Sequence, residues 1–204
     1  MSDMSLAALK KDLILSLTDS AEYLDDQLDQ LLNIAAIELA RFKRRPRNVR
    51  LMLQADESVY DAPADLVEFK AHAWGRKQRS MSQPWEPGYP RMLPTVSVTD
   101  GNPKQLHLSF APTAQLIAQL GSVFSFTYYA RHTLGDTSED TTVHPSDRDL
   151  LLLRAQAEAM KVLSIRYADK TISSKQMISG AARIGTPAAL YKEFLSEFER
   201  RAAC

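Results

Sequence analysis

The hydrophobic pattern of this chain changes its period at Pro46, and that change limits the folds available to it. Before the proline, residues 20–45 carry one apolar face at helical spacing, formed by Leu24, Leu28, Leu31, Leu32, Ala35, Leu39 and Phe42. After it, Val49, Leu51 and Leu53 alternate with other residues, as in a half-buried strand. A helical start followed by a strand-period middle favours an α+β protein.

The ends of the chain are predicted to be helical. Residues 5–18 form an apolar stripe at spacings of three and four, made by Leu6, Leu9, Leu13 and Leu17. Asp19 and Glu22 resemble a capping box for the helix at 20–45. Pro145-Ser146 is expected to open a long helix to about Asp169, with Ser146 as its cap. Two more helices are predicted, at 173–184 and after the Thr186-Pro187 cap.

The middle is expected to supply three to five short strands. The extended path runs to Tyr60, and Pro63 with an Asp61 cap predicts a short helix through Trp74 that ends at Gly75. Residues 95–99 and 106–110 alternate around an Asp-Gly turn, which indicates a hairpin. Residues 111–121 are ambiguous, a loop with a helical turn, and 122–130 predict a strand with Phe124 and Phe126 toward the core.

These elements predict an α+β fold, mainly a helical bundle with an inserted antiparallel β-region, in a single domain of 1–204. The N-terminal helices occupy 1–45. The β-rich middle occupies 46–135 and includes a loop at 76–94, where four prolines prevent a helix or a central strand. The C-terminal helices and tail occupy 136–204, beginning with an acidic loop.

Composition argues against several classes of protein. The 204 residues contain 25 Lys+Arg and 25 Asp+Glu, so the formal net charge is zero, which disfavours a dedicated duplex-DNA binder. One cysteine, Cys204, permits no intrachain disulfide and suits a reducing compartment. No apolar run reaches the length of a membrane span, and the first eleven residues do not resemble a signal peptide.

Motifs for enzyme chemistry are missing from the sequence. There is no paired histidine or cysteine zinc motif, no glycine-rich nucleotide loop and no serine-nucleophile elbow. We therefore predict a protein that is not an enzyme and that needs no cofactor or metal. Two alternatives remain. The first is a metal bound by His132, Asp136 and Asp140, although these residues are also what a solvated acidic loop would contain. The second is a hydrolase with scattered catalytic residues that brings together His132, Asp136 and His144.

The sharpest electrostatic feature is a basic segment at 41–50. Its cations are Arg41, Lys43, Arg44, Arg45, Arg47 and Arg50. One interpretation is sequence-independent contact with DNA phosphates, which would be salt-sensitive. The other is a helix C-terminus that carries cations to complement the helix dipole, with no ligand.

Two further regions are candidates for protein contact. The loop at 76–94 displays Arg76, Arg79, Trp85 and Tyr89, and we expect Trp85 to form an interface while Trp74 packs under the sheet. The closing helix pair has the outline of a helix-turn-helix, but the glutamates of its last helix would repel phosphate, which favours packing or subunit contact.

The order of elements resembles the head-to-tail adaptor, or connector, proteins of tailed bacteriophages. The likeness rests on the joint Tyr60-Asp61-Ala62-Pro63-Ala64-Asp65-Leu66, the strand ending Phe126-Thr127-Tyr128-Tyr129-Ala130, and the acidic loop with Pro145 before a long helix. It covers about residues 20–170.

The resemblance implies a non-enzymatic virion protein. Such proteins form a homo-oligomeric ring, usually twelve-fold, that docks beneath the portal protein, extends the DNA channel and joins it to the next neck or tail protein. Location in the virion neck, assembly in the host bacterial cytoplasm and contact with passing DNA without sequence specificity follow from this, with no role for a membrane. A portal-contacting C-terminal segment would here involve Phe194, Phe198, Arg200 and Arg201.

Overall fold

Two separate hydrophobic cores divide the chain into two units. The computed structural model describes residues 3–86, 88–171 and 186–203. Unit 1 comprises Met1–Arg44 and His132–Cys204, and unit 2 comprises Arg45–Arg131. The first is helical and the second contains all the strands of the described residues, so the predicted α+β fold with an inserted antiparallel β-region is confirmed. The assignment of 1–204 to a single domain stays a prediction.

The described residues of unit 1 form four α-helices: α1 (Leu6–Leu17), α2 (Leu28–Phe42), α5 (Arg148–Thr171) and α6 (Pro187–Ala202). Ser5 caps α1, because its side chain accepts a hydrogen bond from the amide of Ala8. Thr186 caps α6 in the same way, through the amide of Ala189, and a proline occupies the first turn as the sequence predicts.

The core of unit 1 is built from leucine and alanine faces of these helices. Of the apolar stripe predicted for 5–18, Leu9, Leu13 and Leu17 are buried, and Leu6 packs against them while partly exposed. The helix α5 packs against α1, α2 and α6. Small side chains such as Ala155 and Ala159 on α5 allow the neighbouring helices to approach closely, since they project little from the helix surface.

The predicted helix at 20–45 is shorter than expected. Residues 18–27 form two 3-10 turns, Thr18–Tyr23 and Asp25–Gln27, and the α-helix begins only at Leu28. Leu24, between the turns, departs from helical geometry with φ −126° and ψ 3°, which interrupts the hydrogen-bond ladder. The capping box predicted at Asp19 therefore does not start α2.

Unit 2 contains two three-stranded antiparallel sheets. Sheet 1 has the order β1–β6–β3, with β1 (Arg45–Met52), β6 (Val123–Ala130) and β3 (Leu66–His72). Sheet 2 has the order β2–β5–β4, with β2 (Val59–Asp61), β5 (Gln105–Leu108) and β4 (Val96–Thr99). The predicted hairpin is β4–β5, and the six strands exceed the expected three to five by one.

The register of sheet 1 separates an inner face from an outer face. On the central strand β6, Phe124, Phe126 and Tyr128 are buried, which confirms the predicted orientation of the two phenylalanines. Between them, Ser125 and Thr127 point to the opposite face. Because Arg50 of β1 pairs with Ser125, and Ala71 of β3 pairs with Thr127, these residues share the outer face.

The short helix predicted from Pro63 to Trp74 is wrong, because this segment forms the strand β3. Pro63 does initiate a turn, in which its carbonyl accepts the amide of Leu66 at 3.0 Å, but the chain then pairs with β6. The joint at 60–66 thus leads from sheet 2 to sheet 1. Backbone pairing with a buried aromatic strand outweighs the local helix-start signal.

The loop predicted at 76–94 contains a short helix, α3 (Arg76–Met81). Gly75, predicted as a helix end, instead precedes α3 with φ 73°, and Leu93 lies against its Cα, so a side chain would be strained and would clash there. The ambiguous 111–121 segment forms α4 (Ala114–Leu120), capped by Thr113.

The long C-terminal helix begins slightly later than predicted. A 3-10 turn, Pro145–Asp147, precedes α5. The turn is capped by His144 and not by Ser146, since the His144 side chain accepts a hydrogen bond from the Ser146 amide. The helix predicted at 173–184, and the proposed helix-turn-helix that depends on it, lie outside the described residues.

Candidate functional site

The joint between the two sheets is fixed by the carboxylate of Asp65. Its Oδ1 accepts a hydrogen bond from the Tyr128 hydroxyl at 2.8 Å, and its Oδ2 accepts one from Arg47 Nη1 at 2.7 Å. The backbone carbonyl of Asp65 accepts the amide of Arg131 at 2.9 Å. One residue of β1, one of β6 and the turn before β3 are therefore held together by a single side chain.

The electrostatics of this cluster follow from its partial burial. Burial by itself raises the pKa of Asp65, but the hydrogen bonds from Tyr128 and Arg47, with the Arg47 charge, together hold that pKa below its ordinary value. Burial, and then the hydrogen bond to Asp65, raises the pKa of Tyr128. Asp65 is thus ionised and Tyr128 neutral near pH 7, which is a structural arrangement rather than a proton-transfer pair.

Tyr60, at the other end of the joint, closes the β1–β2 connection. Its buried hydroxyl accepts the amide of Gln54 at 3.1 Å and lies 3.0 Å from the carbonyl of Glu57, to which it donates. Burial raises its pKa, so the hydroxyl keeps its proton and can donate. The tyrosine and the aspartate of the joint motif therefore both act by fixing backbone.

The six cations of the basic segment have different local environments. Arg41 pairs with Glu38 on α2 at 3.0 Å, and the Lys43 carbonyl lies 2.9 Å from His132 Nε2. Arg47 is engaged by Asp65. Arg45 and Arg47 lie on the inner-face side of β1, opposite Arg50. Arg44 is exposed in unit 1. Contact with DNA by this segment stays a prediction.

A groove runs along the outer face of sheet 1. It has a volume of about 530 Å³. Its polar and charged lining includes Asn48, Arg50, His72, Arg76 and Thr127, and Ala71, Ala73 and Ser125 line it with small side chains. A second cavity, of about 480 Å³, shares His72 and Arg76 with it. The groove was not predicted from the sequence, because the register that places Asn48 and Ala71 on either side of Thr127 in β6 is set by tertiary pairing.

The segment 76–94, called the docking arm below, is anchored at its base by Arg79. The guanidinium donates to the carbonyls of Pro90 and Arg91 at 3.2 and 2.8 Å, and it lies over the Tyr89 ring at 5.8 Å. These contacts give Arg79 and Tyr89 positioning roles. Trp74, as predicted, is buried and donates its indole N–H to the Gly121 carbonyl.

Three large apolar side chains of the docking arm face solvent. Trp85 is 77% exposed, Met81 75% and Met92 72%. The exposed tryptophan and methionines make this segment a candidate for protein contact, because such side chains are enriched at protein interfaces. Arg76, the fourth residue predicted for this loop, lies instead beside the groove.

The candidate metal and hydrolase residues are not brought together. His132 is buried and lies between the Lys43 carbonyl and the Thr142 hydroxyl. Asp140 accepts the Thr137 hydroxyl at 2.7 Å, and His144 contacts Ser146. Across residues 3–86, 88–171 and 186–203, no three His, Cys, Asp or Glu side chains are placed to hold a metal ion.

The predicted portal-contacting residues at the C-terminus have different environments. Phe198 is buried in the core of unit 1, where it meets Phe42 edge-to-face at 5.4 Å, and Phe194 is half-buried against the same core. Arg200 pairs with Glu197 at 2.7 Å, and Arg201 is exposed. Contact with a portal through this segment stays a prediction.

A buried ion pair in α5 was also missed. Arg154 and Glu158 are 7% and 6% exposed, and their charged atoms lie 2.6 Å apart. Their i,i+4 spacing within a run of leucines and alanines was the available signal. Arg154 Nε and Nη1 are buried without a hydrogen-bond partner, while the guanidinium lies over Phe198.

No family model matches this chain, and no curated protein is significantly similar to it. Within the described part of the chain, no helix is long and apolar enough to cross a membrane.

Proposed function

We propose that this protein is a structural head-to-tail adaptor of a tailed bacteriophage. It forms a ring beneath the portal protein, extends the DNA channel and presents a surface to the next neck or tail protein. It acts in the virion neck after assembly in the host bacterial cytoplasm, without enzymatic activity, cofactor or membrane. The proposal joins the resemblance in element order to the surface features of unit 2.

The observation that carries the proposal is the docking arm. Its base is held by charge-assisted hydrogen bonds from Arg79, while Trp85, Met81 and Met92 are left in solvent. A fixed base lowers the entropy lost on binding, and an exposed tryptophan supplies a large contact area. This combination suits a protein whose work is attachment to another protein.

The charge states of the cluster formed by Asp65, Arg47 and Tyr128 agree with a structural role. Asp65, Arg47 and Tyr128 satisfy one another, and their pKa directions keep each in its ordinary charge state near pH 7. A catalytic acid or base has a pKa shifted toward the working pH. The cluster instead fixes the path of the chain between the two sheets.

Mixing this protein with the portal protein of the same virus tests the proposal. We expect electron microscopy to show an added ring under the portal. Substitution Trp85→Ala should weaken binding about thirtyfold or more, as expected for a hot-spot tryptophan. Leu15→Ala, which removes an exposed apolar side chain of unit 1, serves as the matched control and should leave binding unchanged. No added ring with the wild-type protein would overturn the proposal.

A further inference from the structure

The groove on the outer face of sheet 1 has the shape of a site for a peptide loop. Ala71, Ala73 and Ser125 line part of the groove, and their small side chains project little from the sheet. Asn48 and Thr127 line it too, and they are hydrogen-bonded to each other at 2.5 Å, so this part of the surface is preorganised. A segment of chain can therefore approach the sheet closely.

The charge in the groove is positive and uncompensated. Arg50 and Arg76 line it, no carboxylate does, and neither arginine has an ion-pair partner among the residues described in the structure. Two guanidinium groups bind carboxylates well, since each offers paired N–H donors. The chemistry of the groove therefore suits an acidic segment.

The acidic loop of unit 1 has complementary chemistry. Asp136 and Glu139 are exposed, and neither has a hydrogen-bond or ion-pair partner in the described part of the chain. The loop is held in shape from within, because the Gly135 amide donates to the Thr141 hydroxyl at 3.0 Å and the Thr137 hydroxyl donates to Asp140. It presents two carboxylates with little entropy left to lose.

We propose that the groove of one copy binds the acidic loop of a second copy, with Asp136 and Glu139 facing Arg50 and Arg76. The two surfaces differ, so the contact is heterologous, and repeated contacts of this kind close into a ring or continue as a filament. That the contacts close into a ring and not a filament rests on the proposed function. The groove and the acidic loop are then the contact between neighbouring subunits of that ring.

Two charge-reversed variants test the contact between chains. The first, Asp136→Lys/Glu139→Lys, leaves the groove unchanged and reverses the charge of the acidic loop. The second, Arg50→Glu/Arg76→Glu, leaves the acidic loop unchanged and reverses the charge of the groove. The isotope-labelled first variant is titrated with the unlabelled second variant at low salt, and amide signals of Ala71, Ser125 and Thr127 are followed by nuclear magnetic resonance.

We expect these signals to shift or broaden in a saturable way, and about 0.5 M salt should reverse the effect because exposed charges are screened. Titration with more of the first variant is the control, and it should produce an effect about a hundredfold weaker because like charges then meet. Equal effects in both titrations, or none in either, would overturn the inference. A duplex oligonucleotide that moves the same signals instead would also overturn it, in favour of a phosphate site.

The result separates the inference from the proposed function. Portal rings that form normally from the Arg50→Glu/Arg76→Glu variant would overturn the groove contact and leave the adaptor role intact. A wild-type chain that adds no ring to the portal would remove the adaptor role, while the amide titration would still report whether the groove takes the loop.

Discussion

At the scale of single residues, Asp65 holds the joint between the two sheets of unit 2. Its carboxylate joins Arg47 of β1 to Tyr128 of β6 at the turn before β3. Replacement by asparagine removes the ion pair and weakens the tyrosine hydrogen bond. We expect Asp65→Asn to lower the free energy of unfolding by about 1–2 kcal/mol at pH 7, measured by chemical denaturation. Asp61→Asn, at an exposed position of β2, is the matched control.

The same substitution has a defined pH dependence. The pKa of Asp65 is depressed in the folded protein, so its stabilisation is complete above the unfolded pKa of about 3.9 and is lost as the pH falls through the folded value. The stability difference between wild type and Asp65→Asn should stay constant from about pH 7 to pH 5 and close below about pH 4. A gap that persists unchanged at pH 2–3 would contradict this account of Asp65.

Arg154 is a buried cation whose hydrogen-bonding capacity is only partly satisfied. Only part of its guanidinium is paired with Glu158, while Nε and Nη1 have no partner. Removal of one member leaves a buried charge, so Glu158→Gln should destabilise the protein by about 3–5 kcal/mol. The double substitution Arg154→Met/Glu158→Leu should recover most of that loss, because apolar side chains carry no desolvation penalty.

Denaturant titration of the two variants measures this difference, with exposed Glu193→Gln on α6 as the control. If the free energy of unfolding of Arg154→Met/Glu158→Leu were no higher than that of Glu158→Gln, the buried ion pair would have to stabilise unit 1, and this account of the pair would be contradicted.

At the scale of elements, the docking arm is expected to open independently of the cores. Arg79→Ala removes two charge-assisted hydrogen bonds that hold the arm at Pro90 and Arg91. We expect chymotrypsin to cleave at Trp85 or Tyr89 about tenfold faster or more, since about 1.5–3 kcal/mol of local stabilisation is lost. Arg91→Ala removes a neighbouring exposed arginine and should leave the cleavage rate unchanged. Equal cleavage rates in both variants would contradict the anchoring role of Arg79.

Elements defined by a repeated local pattern were predictable from the sequence. The leucine stripe of α1, the alternating hairpin strands β4 and β5, and the aromatic strand β6 each carry their period within a few residues. The structure has each of them near its predicted bounds.

The elements that sequence reasoning missed depend on distant partners. Val67, Phe69 and Ala71 alternate as in a strand, but Pro63 with Asp61 offered a stronger local signal for a helix. Pairing of β3 with β6 decides between the two, and local propensity does not encode it. The groove was missed for the same reason, since Asn48 and Ala71 are brought together only by pairing with Thr127 of the shared strand β6.

At the scale of the whole molecule, unit 2 has the features of an independently folding insertion. It has its own core, and its two ends are adjacent because Arg45 pairs with Ala130 in sheet 1. We expect a fragment of residues 45–131 to give dispersed amide signals and a cooperative unfolding transition. Phe126→Ala, which empties a core position, should abolish the transition or lower its midpoint strongly, whereas Met52→Ala at an exposed position should not. A fragment without cooperative unfolding would favour the single-domain prediction for 1–204.

The central claim is that the chain works as a ring subunit that attaches to a portal, and the symmetry of the assembled complex tests it most directly. Electron microscopy of wild-type protein mixed with the portal protein of the same virus should show one closed ring of this chain, coaxial with the portal, with its docking arm in a protein contact. A portal that remains bare at saturating concentrations of the wild-type protein would contradict the account.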